Sequence, residues 1–280
     1  MAKSKKPNLN ESNYYSLEMD KKYMSNSLLK KFQECEYKAM KFLNGELEDE
    51  KTTAMLVGQY VDEALTGTKE SFDKFCNDNP EIFSSRGATK GLLKSEFQRA
   101  NQMIEVAKAD KKFMSFVNGQ HQVIMTGEIF GVPIKIKMDS YYPHKAIVDL
   151  KTVESATKGY WNKDLKTYET FVEHFNYIQQ LAIYQEIVRQ NTGETLPCVI
   201  AYISKEVNPD HDLLFVDNET LHTYLFGNEF NEGLASQLIR AWDLTQGKEK
   251  PIKCGCCDVC MKEKKVEKPI HYTELLGRLN

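Results

Sequence analysis

Apolar residues recur at helical spacing over the first third of the chain. The pattern predicts a helix over about 25–43, which Ser25 or Ser27 can cap, and a second helix over about 53–65. Residues 69–119 are typical of further short helices. The N-terminal half of the protein is therefore expected to be mainly helical.

The spacing changes from helical to alternating near residue 121. In 132–139, Ile134, Ile136 and Met138 alternate with polar residues, which indicates a half-buried strand. The remaining elements are predicted as strands at 122–130, 146–151, 197–204 and 213–216, and as long helices at about 165–191 and 218–245. Helices, a three-strand meander, a helix and more strands predict an α/β fold with a mixed central sheet flanked by helices.

Three segments are expected along the chain. Residues 1–24 are polar and are predicted to be poorly ordered, and 25–250 are predicted to form a single domain. Residues 251–280 form a Cys-rich C-terminal segment that we expect to pack on the same domain.

Composition limits the class of protein. The 280 residues are 41% hydrophobic and 28% charged, with a net charge of −3, which is typical of a globular protein with a substantial core. No apolar run is long enough to cross a membrane, and no apolar segment follows the basic start, so a cytoplasmic protein is expected. The net charge does not itself indicate nucleic-acid binding. The basic residues are nearly all Lys, which favours phosphate contacts over bidentate reading of bases.

Two carboxylates and a lysine stand out on the predicted strands. Asp149 and Lys151 are two residues apart and so share one strand face, and Asp139 ends the preceding strand. If the strands pair as a hairpin, the two carboxylates meet and require a cation between them. Spacing alone equally allows a solvated row of surface charges.

The order of several short motifs resembles that of the PD-(D/E)XK nuclease superfamily in its RecB-like form. Asp139 is followed by an apolar strand that carries Asp149 and Lys151, and then by Gln180 and Tyr184 at helical spacing. Upstream, Gly58-x-x-x-Asp62 stands where the family has Gly-x-x-x-His. The resemblance covers about 25–260 and implies a restriction-endonuclease-like core. It is greatest to phage and prophage exonucleases of the exodeoxyribonuclease VIII (RecE-like) type.

The resemblance implies a site with named roles. It implies that Asp139 and Asp149, with Asp62 and the carbonyl of Leu150, hold Mg²⁺ or Mn²⁺; Glu63 and Glu128 are alternatives to Asp62. Lys151 would position a water that the metal activates, and Gln180 and Tyr184 would hold the DNA backbone or Lys151. Lys135 and Lys137 lie on the strand face of Asp139 and are expected to contact phosphates. None of the six histidines has ligand-like spacing.

The expected activity is hydrolysis of DNA phosphodiester bonds, most simply by an exonuclease that acts on linear duplex DNA in recombination or DNA processing. A single-strand annealing protein and further copies of the chain are possible partners by analogy with relatives. Two alternatives stay open: an endonuclease of the restriction type, and a catalytically degenerate DNA- or protein-binding module, such as a phage accessory or anti-defence factor. The degenerate module is favoured by one feature, the presence of Asp62 where the family has a His ligand.

Four of the seven cysteines crowd into 254–260. Cys254-x-x-Cys257-x-x-Cys260 has the local spacing of a thiolate metal site, and Cys35 is the candidate fourth ligand. Some RecB-like nucleases bind an iron–sulfur cluster through one N-terminal and three C-terminal cysteines. An iron–sulfur cluster, Zn²⁺ and reduced free thiols are the three interpretations.

Overall fold

The computed structural model of the chain describes residues 9–49, 51–163, 165–266, 269 and 271–273. In chain order, the α-helices are α1 (Leu17–Asp20), α2 (Asn26–Glu34), α3 (Glu36–Leu43), α4 (Thr53–Thr66), α5 (Lys69–Asp78), α6 (Ser95–Ala109), α7 (Lys111–Val117), α8 (Phe171–His174), α9 (Tyr177–Thr192), α10 (Asn218–Phe226), α11 (Ala235–Thr245) and α12 (Asp258–Lys262). The strands are β1 (Gln120–Ile129), β2 (Val132–Tyr142), β3 (Ala146–Val153), β4 (Tyr160–Asn162), β5 (Thr167–Glu169), β6 (Cys198–Ser204) and β7 (His211–Val216).

Five strands form a mixed sheet in the order β1-β2-β3-β6-β7. β2 and β3 are antiparallel, β3 and β6 are parallel, and β6 and β7 are antiparallel. The parallel pair needs a crossover, and the chain between β3 and β6 supplies it with α9. The α/β fold with a mixed sheet and flanking helices that the sequence predicts is confirmed.

Contacts divide the chain into two compact units. The first unit takes its described residues from Met1–Asp49, Ile124–Ile136 and Thr223–Asn280, and the second from Glu50–Val123 and Lys137–His222. The single domain expected over 25–250 stays a prediction, because that range contributes to both units.

The core of the second unit covers both faces of β6, whose seven residues are all buried. Val199 faces a cluster that contains Val148 and residues of α4, α6 and α7. The neighbouring side chain, Cys198, points the other way, and its Sγ lies 3.9 Å from the carbonyl of Leu181 in α9. Because β3 runs parallel to β6 in register, α9 also covers the β3 face that carries Asp149 and Lys151.

Three predicted helices are shorter than the periodicity indicated. The first is broken at Cys35, whose extended backbone (φ −166°) ends α2 and caps α3. The helix expected from about 165 begins only at Tyr177, after a β4–β5 hairpin and the short α8. The helix expected over 218–245 is interrupted between α10 and α11, where Gly227 and Gly233 adopt positive φ of 79° and 62° and lie against backbone too closely to carry a side chain.

The prediction that residues 1–24 are poorly ordered is wrong for residues 9–24; residues 1–8 lie outside the described part of the chain. Met24 is fully buried, and backbone hydrogen bonds join it to Pro133 and Lys135 on β2. Asp20 forms an ion pair of 2.7 Å with the buried Lys135. Backbone pairing, a buried ion pair and the burial of several apolar side chains hold this segment. Of the Cys-rich segment, 267–268, 270 and 274–280 lie outside the described residues.

Gly58 allows α4 to approach β3. A Cβ at this position would lie 3.4 Å from Oγ1 of Thr152, which is the limit of ordinary contact. We expect Gly58→Ala to fold normally, whereas the branched Gly58→Val should lower the free energy of unfolding by roughly 1–3 kcal/mol through overpacking. Urea denaturation measures both, with Gln59→Val, at the exposed next position, as the control. Equal losses in Gly58→Val and Gln59→Val would show that the close approach has no energetic role.

Candidate active site

Asp139 and Asp149 lie where the pairing of β2 with β3 ends. The last paired residues are Ser140 and Val148, and the same register extended by one places Asp139 opposite Asp149. There the side chain replaces the backbone as partner: Oδ2 of Asp139 accepts the N–H of Leu150 at 3.0 Å. Opposed residues of antiparallel strands project to one face, so the two carboxylates lie on the same face of the sheet.

Asp149 is the most enclosed group of the site, with 1% of the residue exposed. Its Oδ1 accepts a hydrogen bond of 2.7 Å from Nε2 of Gln180. Its Oδ2 forms an ion pair of 2.6 Å with Nζ of Lys151, and no other donor among the described residues contacts this oxygen. The oxygen therefore keeps a lone pair that a divalent cation could use.

Lys151 is held as a cation. Burial lowers its pKa, but the charges of Asp149 and Asp139 outweigh that effect and raise the pKa above its ordinary value. Its Nζ also lies 5.0 Å from the ring centroid of Tyr177, at the start of α9. The ammonium therefore remains charged at neutral pH.

The charged form of Asp139, in contrast to that of Lys151, is disfavoured in the folded protein. Burial and the neighbouring charge of Asp149 raise its pKa well above the ordinary value, and Asp62 adds to the effect. The two carboxylates can thus be ionised together only at a cost in free energy, which a divalent cation between them would offset.

Asp62 projects from α4 into the same group of charges. Burial, with the adjacent Glu63, raises its pKa to about 6, and the charges of His121 and Lys137 act in the opposite direction. Both of its carboxylate oxygens have partners: Oγ1 of Thr66 at 3.3 Å and Nε2 of Gln122 at 3.1 Å. Of the alternatives, Glu63 accepts from Ser71, and Glu128 is exposed in the other unit.

His121 and Gln122 are members of this site that sequence reasoning missed. Nδ1 of His121 lies 3.2 Å from the carbonyl of Asp139, and Gln122 has a positive φ of 54°, which is rare for a residue with a side chain. This backbone turns the amide of Gln122 toward Asp62. No feature of the sequence marks it.

Gln180 and Tyr184 lie one helical turn apart on α9 and belong to a chain of hydrogen bonds between Asp149 and β2. Oη of Tyr184 donates to the carbonyl of Lys137 at 2.9 Å and accepts from Nε2 of Gln180, which also donates to Asp149. These bonds fix Asp149 against β2. Lys135 is also not where it was expected: it is buried, donates to the carbonyl of Tyr14, and is unavailable to phosphates.

The contact of Gln180 predicts a positioning role. We expect Gln180→Leu to lower the turnover rate roughly 10–100-fold, because Asp149 loses the hydrogen bond that orients it. Gln190→Leu on the same helix, where the amide bonds Glu186 instead, is the matched control. Single-turnover rates on labelled DNA, with circular dichroism to check folding, measure the effect. Equal rates in the two variants would exclude this role.

The four cysteines also come together, in the first unit. Cys35, Cys254, Cys257 and Cys260 have Sγ atoms that all lie within 4.8 Å of one another. In the described part of the chain, Asp62, Asp139 and Asp149 do not form a group of this kind.

The fold and these residues define an α/β protein of the nuclease-type PD-(D/E)XK class. The chain belongs to the family of PDDEXK-like domains of unknown function (DUF3799), whose model matches residues 25–263. The family resemblance seen in the sequence is thereby confirmed.

Solved structures support the same class. A crystal structure of a "Putative exonuclease" from Eubacterium rectale is 43% identical, with a TM-score of 0.85, and the match covers 95% of this chain and 97% of that one. A second structure, SSO0001, is 14% identical with a TM-score of 0.30 over 84% and 92% of the two chains, which is too low to inform the comparison. No curated protein matches the chain. Fold and neighbour together support a nuclease. Among the described residues, none of the helices is both long and apolar enough to cross a bilayer.

Proposed function

We propose that this protein is a Mg²⁺-dependent deoxyribonuclease that degrades linear duplex DNA from its ends. The observation that carries the proposal is Asp149: a buried carboxylate with one oxygen fixed by Gln180 and the other in an ion pair with Lys151 alone. The class of the fold and the exonuclease description of the Eubacterium rectale neighbour support it.

The donor atoms fit a hard divalent cation. Asp139 and Asp149 offer carboxylate oxygens on adjacent strands, Asp62 offers a third, and the carbonyl of Leu150 is a proposed fourth ligand. A bound divalent cation would supply Lewis acidity at the scissile phosphodiester and make water more acidic. Because all three side chains are oxygen donors, Mg²⁺ or Mn²⁺ suits the site better than a soft metal.

The protein's own groups perform the remaining work. Lys151, kept as a cation by Asp149 and Asp139, would stabilise the negative charge that builds on the phosphate oxygens and orient the attacking water. Gln180 and Tyr184 would keep Asp149 in place during the reaction. Lys137, whose charge reaches Asp62, is the lysine of β2 that we propose for a phosphate contact.

The test compares three proteins on linear duplex DNA with Mg²⁺: wild type, Asp149→Ala and Lys151→Ala. Release of nucleotides by the wild type alone is the expected result. Equal release by all three, or by none, would refute the mechanism. Supercoiled plasmid as a second substrate separates the exonuclease from an endonuclease, because a covalently closed circle has no ends.

Exposed aromatic rings on the β4–β5 hairpin are the proposed contact for DNA bases. Trp161 is 51% exposed and Tyr168 is 71% exposed, and their ring centroids are 5.3 Å apart. Further ring contacts run from Tyr160 through Phe175 to Tyr177, against which Lys151 lies. Flat, exposed rings near a phosphate site suit stacking on bases that are unpaired at a DNA end.

This surface gives a test of substrate binding. We expect the double variant Trp161→Ala, Tyr168→Ala to weaken DNA binding roughly 10–100-fold, since one stacked base contributes about 1–3 kcal/mol. Fluorescence anisotropy with labelled DNA and Ca²⁺ in place of Mg²⁺ measures binding without cleavage. Phe215→Ala, which removes a ring that is 66% exposed on β7, is the control. Unchanged affinity in the double variant would remove the hairpin from the DNA-binding surface.

The partners of Asp62 favour a second candidate, the degenerate binding module. Thr66 and Gln122 already contact its two oxygens, so Asp62 is partly satisfied without a metal, although each oxygen keeps a further lone pair. A module without metal should show no Mg²⁺-dependent increase in melting temperature, whereas the nuclease site should show one. On the family resemblance alone, we also propose a role in phage-type recombination, a single-strand annealing partner, self-association and a cytoplasmic location.

A further inference from the structure

We infer that Cys35, Cys254, Cys257 and Cys260 form a mononuclear tetrahedral zinc site. The site is separate from the proposed nuclease function, and its tests do not depend on activity. Two of the four, Cys35 and Cys260, are buried, whereas Cys254 is exposed. Together they join the start of α3 to the chain around α12.

The distances between the sulfur atoms decide the type of site. Sγ of Cys35 lies 3.7 Å from that of Cys260 and 3.8 Å from that of Cys257, and the Cys254–Cys260 distance is 3.9 Å. A tetrahedron with Zn–S bonds of about 2.3 Å has sulfur atoms about 3.8 Å apart. A disulfide would require about 2.05 Å, so these thiols are not bonded to one another.

An iron–sulfur cluster does not fit these distances. In a [4Fe–4S] cluster each thiolate binds a different iron, so the four cysteine sulfur atoms lie further apart than around a single ion. In a [2Fe–2S] cluster two pairs of sulfur atoms are separated in the same way. All four Sγ atoms here lie within 4.8 Å, so a single ion fits among them, whereas a cluster would require them to move apart. Zn²⁺ is favoured over a single Fe²⁺ because it binds a given thiolate site more tightly.

Backbone N–H groups around the four cysteines are placed to stabilise thiolates. The backbone N–H groups of Lys38, Cys257 and Cys260 donate to Sγ of Cys35, Cys254 and Cys257 at 3.3–3.5 Å. Such bonds stabilise negative sulfur and orient it toward the ion. The sulfur of Cys35 is available to bind an ion because the helix breaks at this residue, which caps α3.

Polar contacts around the cluster hold the same two segments together. The N–H of Ile252 donates to Oε2 of Glu36 at 2.8 Å, and Arg240 binds both carboxylate oxygens of Glu36. Oη of Tyr37 donates to Glu263 at 2.6 Å. Zinc would therefore fasten a segment that is already positioned, which makes its role structural.

The first experiment measures the metal in the full-length protein. After purification without chelators, elemental analysis should give one zinc per chain, little iron, and a colourless solution. Refolding from the metal-free state with equal Zn²⁺ and Fe²⁺ under anaerobic conditions should also yield the zinc form. A coloured protein that contains iron, or one that binds neither metal, would overturn the assignment.

Variants identify the ligands. Cys35→Ser and Cys260→Ser should lose the zinc and lower the melting temperature by roughly 10 °C. Cys256→Ser is the matched control, because Cys256 is exposed in the same turn, with its Sγ 3.5 Å from Cys254, and yet lies outside the group of four. Loss of zinc from Cys256→Ser with retention in Cys254→Ser would contradict the proposed ligand set.

Alkylation of the wild-type protein gives an answer even if these variants do not fold. Cys254 and Cys256 are both exposed and differ in the proposed metal contact. With zinc bound, a thiol reagent followed by mass spectrometry should label Cys256 and leave Cys254 protected; after chelation both should be labelled. Equal labelling of the two before chelation would show that Cys254 does not bind the ion.

Discussion

Asp139→Asn is expected to abolish DNA cleavage and to stabilise the metal-free protein at the same time. Burial and the charge of Asp149 raise the pKa of Asp139, so ionisation of Asp139 at neutral pH opposes folding. Asparagine keeps the shape and can still accept the N–H of Leu150. We expect the free energy of unfolding in EDTA to rise by on the order of 1–3 kcal/mol, and the cleavage rate with Mg²⁺ to fall at least roughly 10²–10³-fold.

Asp149→Asn should have the opposite effect on stability and the same effect on activity. It leaves the Lys151 ammonium without its nearest counterion in a buried position, which should lower the free energy of unfolding by roughly 2–4 kcal/mol. Asp243→Asn, which removes an ion pair with Lys248 at the surface, should change neither property. Chemical denaturation in EDTA and nucleotide release with Mg²⁺ measure the two effects.

The contrast between the two variants is what separates a metal site from ordinary charge pairing. If Asp139 only paired with Lys151, both substitutions would destabilise the protein. Destabilisation by Asp139→Asn in EDTA would therefore contradict the repulsion between the carboxylates on which the proposed cation depends.

The strand pattern of the site could be predicted from the sequence because it rests on local periodicity. Alternation along β2 and β3 placed Val148 in the core and Asp149 and Lys151 on the other face, as the structure has them. The helical spacing of Gln180 and Tyr184 likewise placed both side chains toward the strands. These relations involve residues two or four apart, which the backbone geometry fixes.

What the sequence could not reveal depends on contacts between distant segments. Lys135 appeared to share the exposed face of Asp139, but Asp20 and Tyr14, more than a hundred residues earlier, cover it. The helix break at Cys35 cannot be seen in the sequence, because apolar residues on both sides of it continue the helical period. The break allows the sulfur of Cys35 to contact the cysteines of 254–260. His121 and Gln122 reach Asp139 and Asp62 through an unusual backbone conformation that no residue type announces.

The stability of the metal-free protein should fall as pH rises between about 4 and about 6. Asp62 has a pKa of about 6 in the folded protein against an ordinary value of 3.8. Below the lower value it is protonated in both the folded and the unfolded state and contributes no pH dependence. Between the two values the folded state binds more protons, so the free energy of unfolding decreases with pH, by up to about 3 kcal/mol once Asp62 is fully ionised.

The same titration should control the response to Mg²⁺. A divalent cation requires ionised carboxylates, so Mg²⁺ should raise the melting temperature only slightly near pH 5 and strongly above about pH 7. Asp62→Asn removes one of the two groups that contribute: the variant should show a smaller decrease in metal-free stability between about pH 4 and 6, since Asp139 still contributes, and should bind Mg²⁺ with a weaker dependence on pH. Thermal denaturation at several pH values, with EDTA or with Mg²⁺, measures all of these quantities. An equal Mg²⁺ shift at both pH values, or an unchanged pH profile in Asp62→Asn, would place Asp62 outside the metal site and would favour the binding module in which Thr66 and Gln122 retain it.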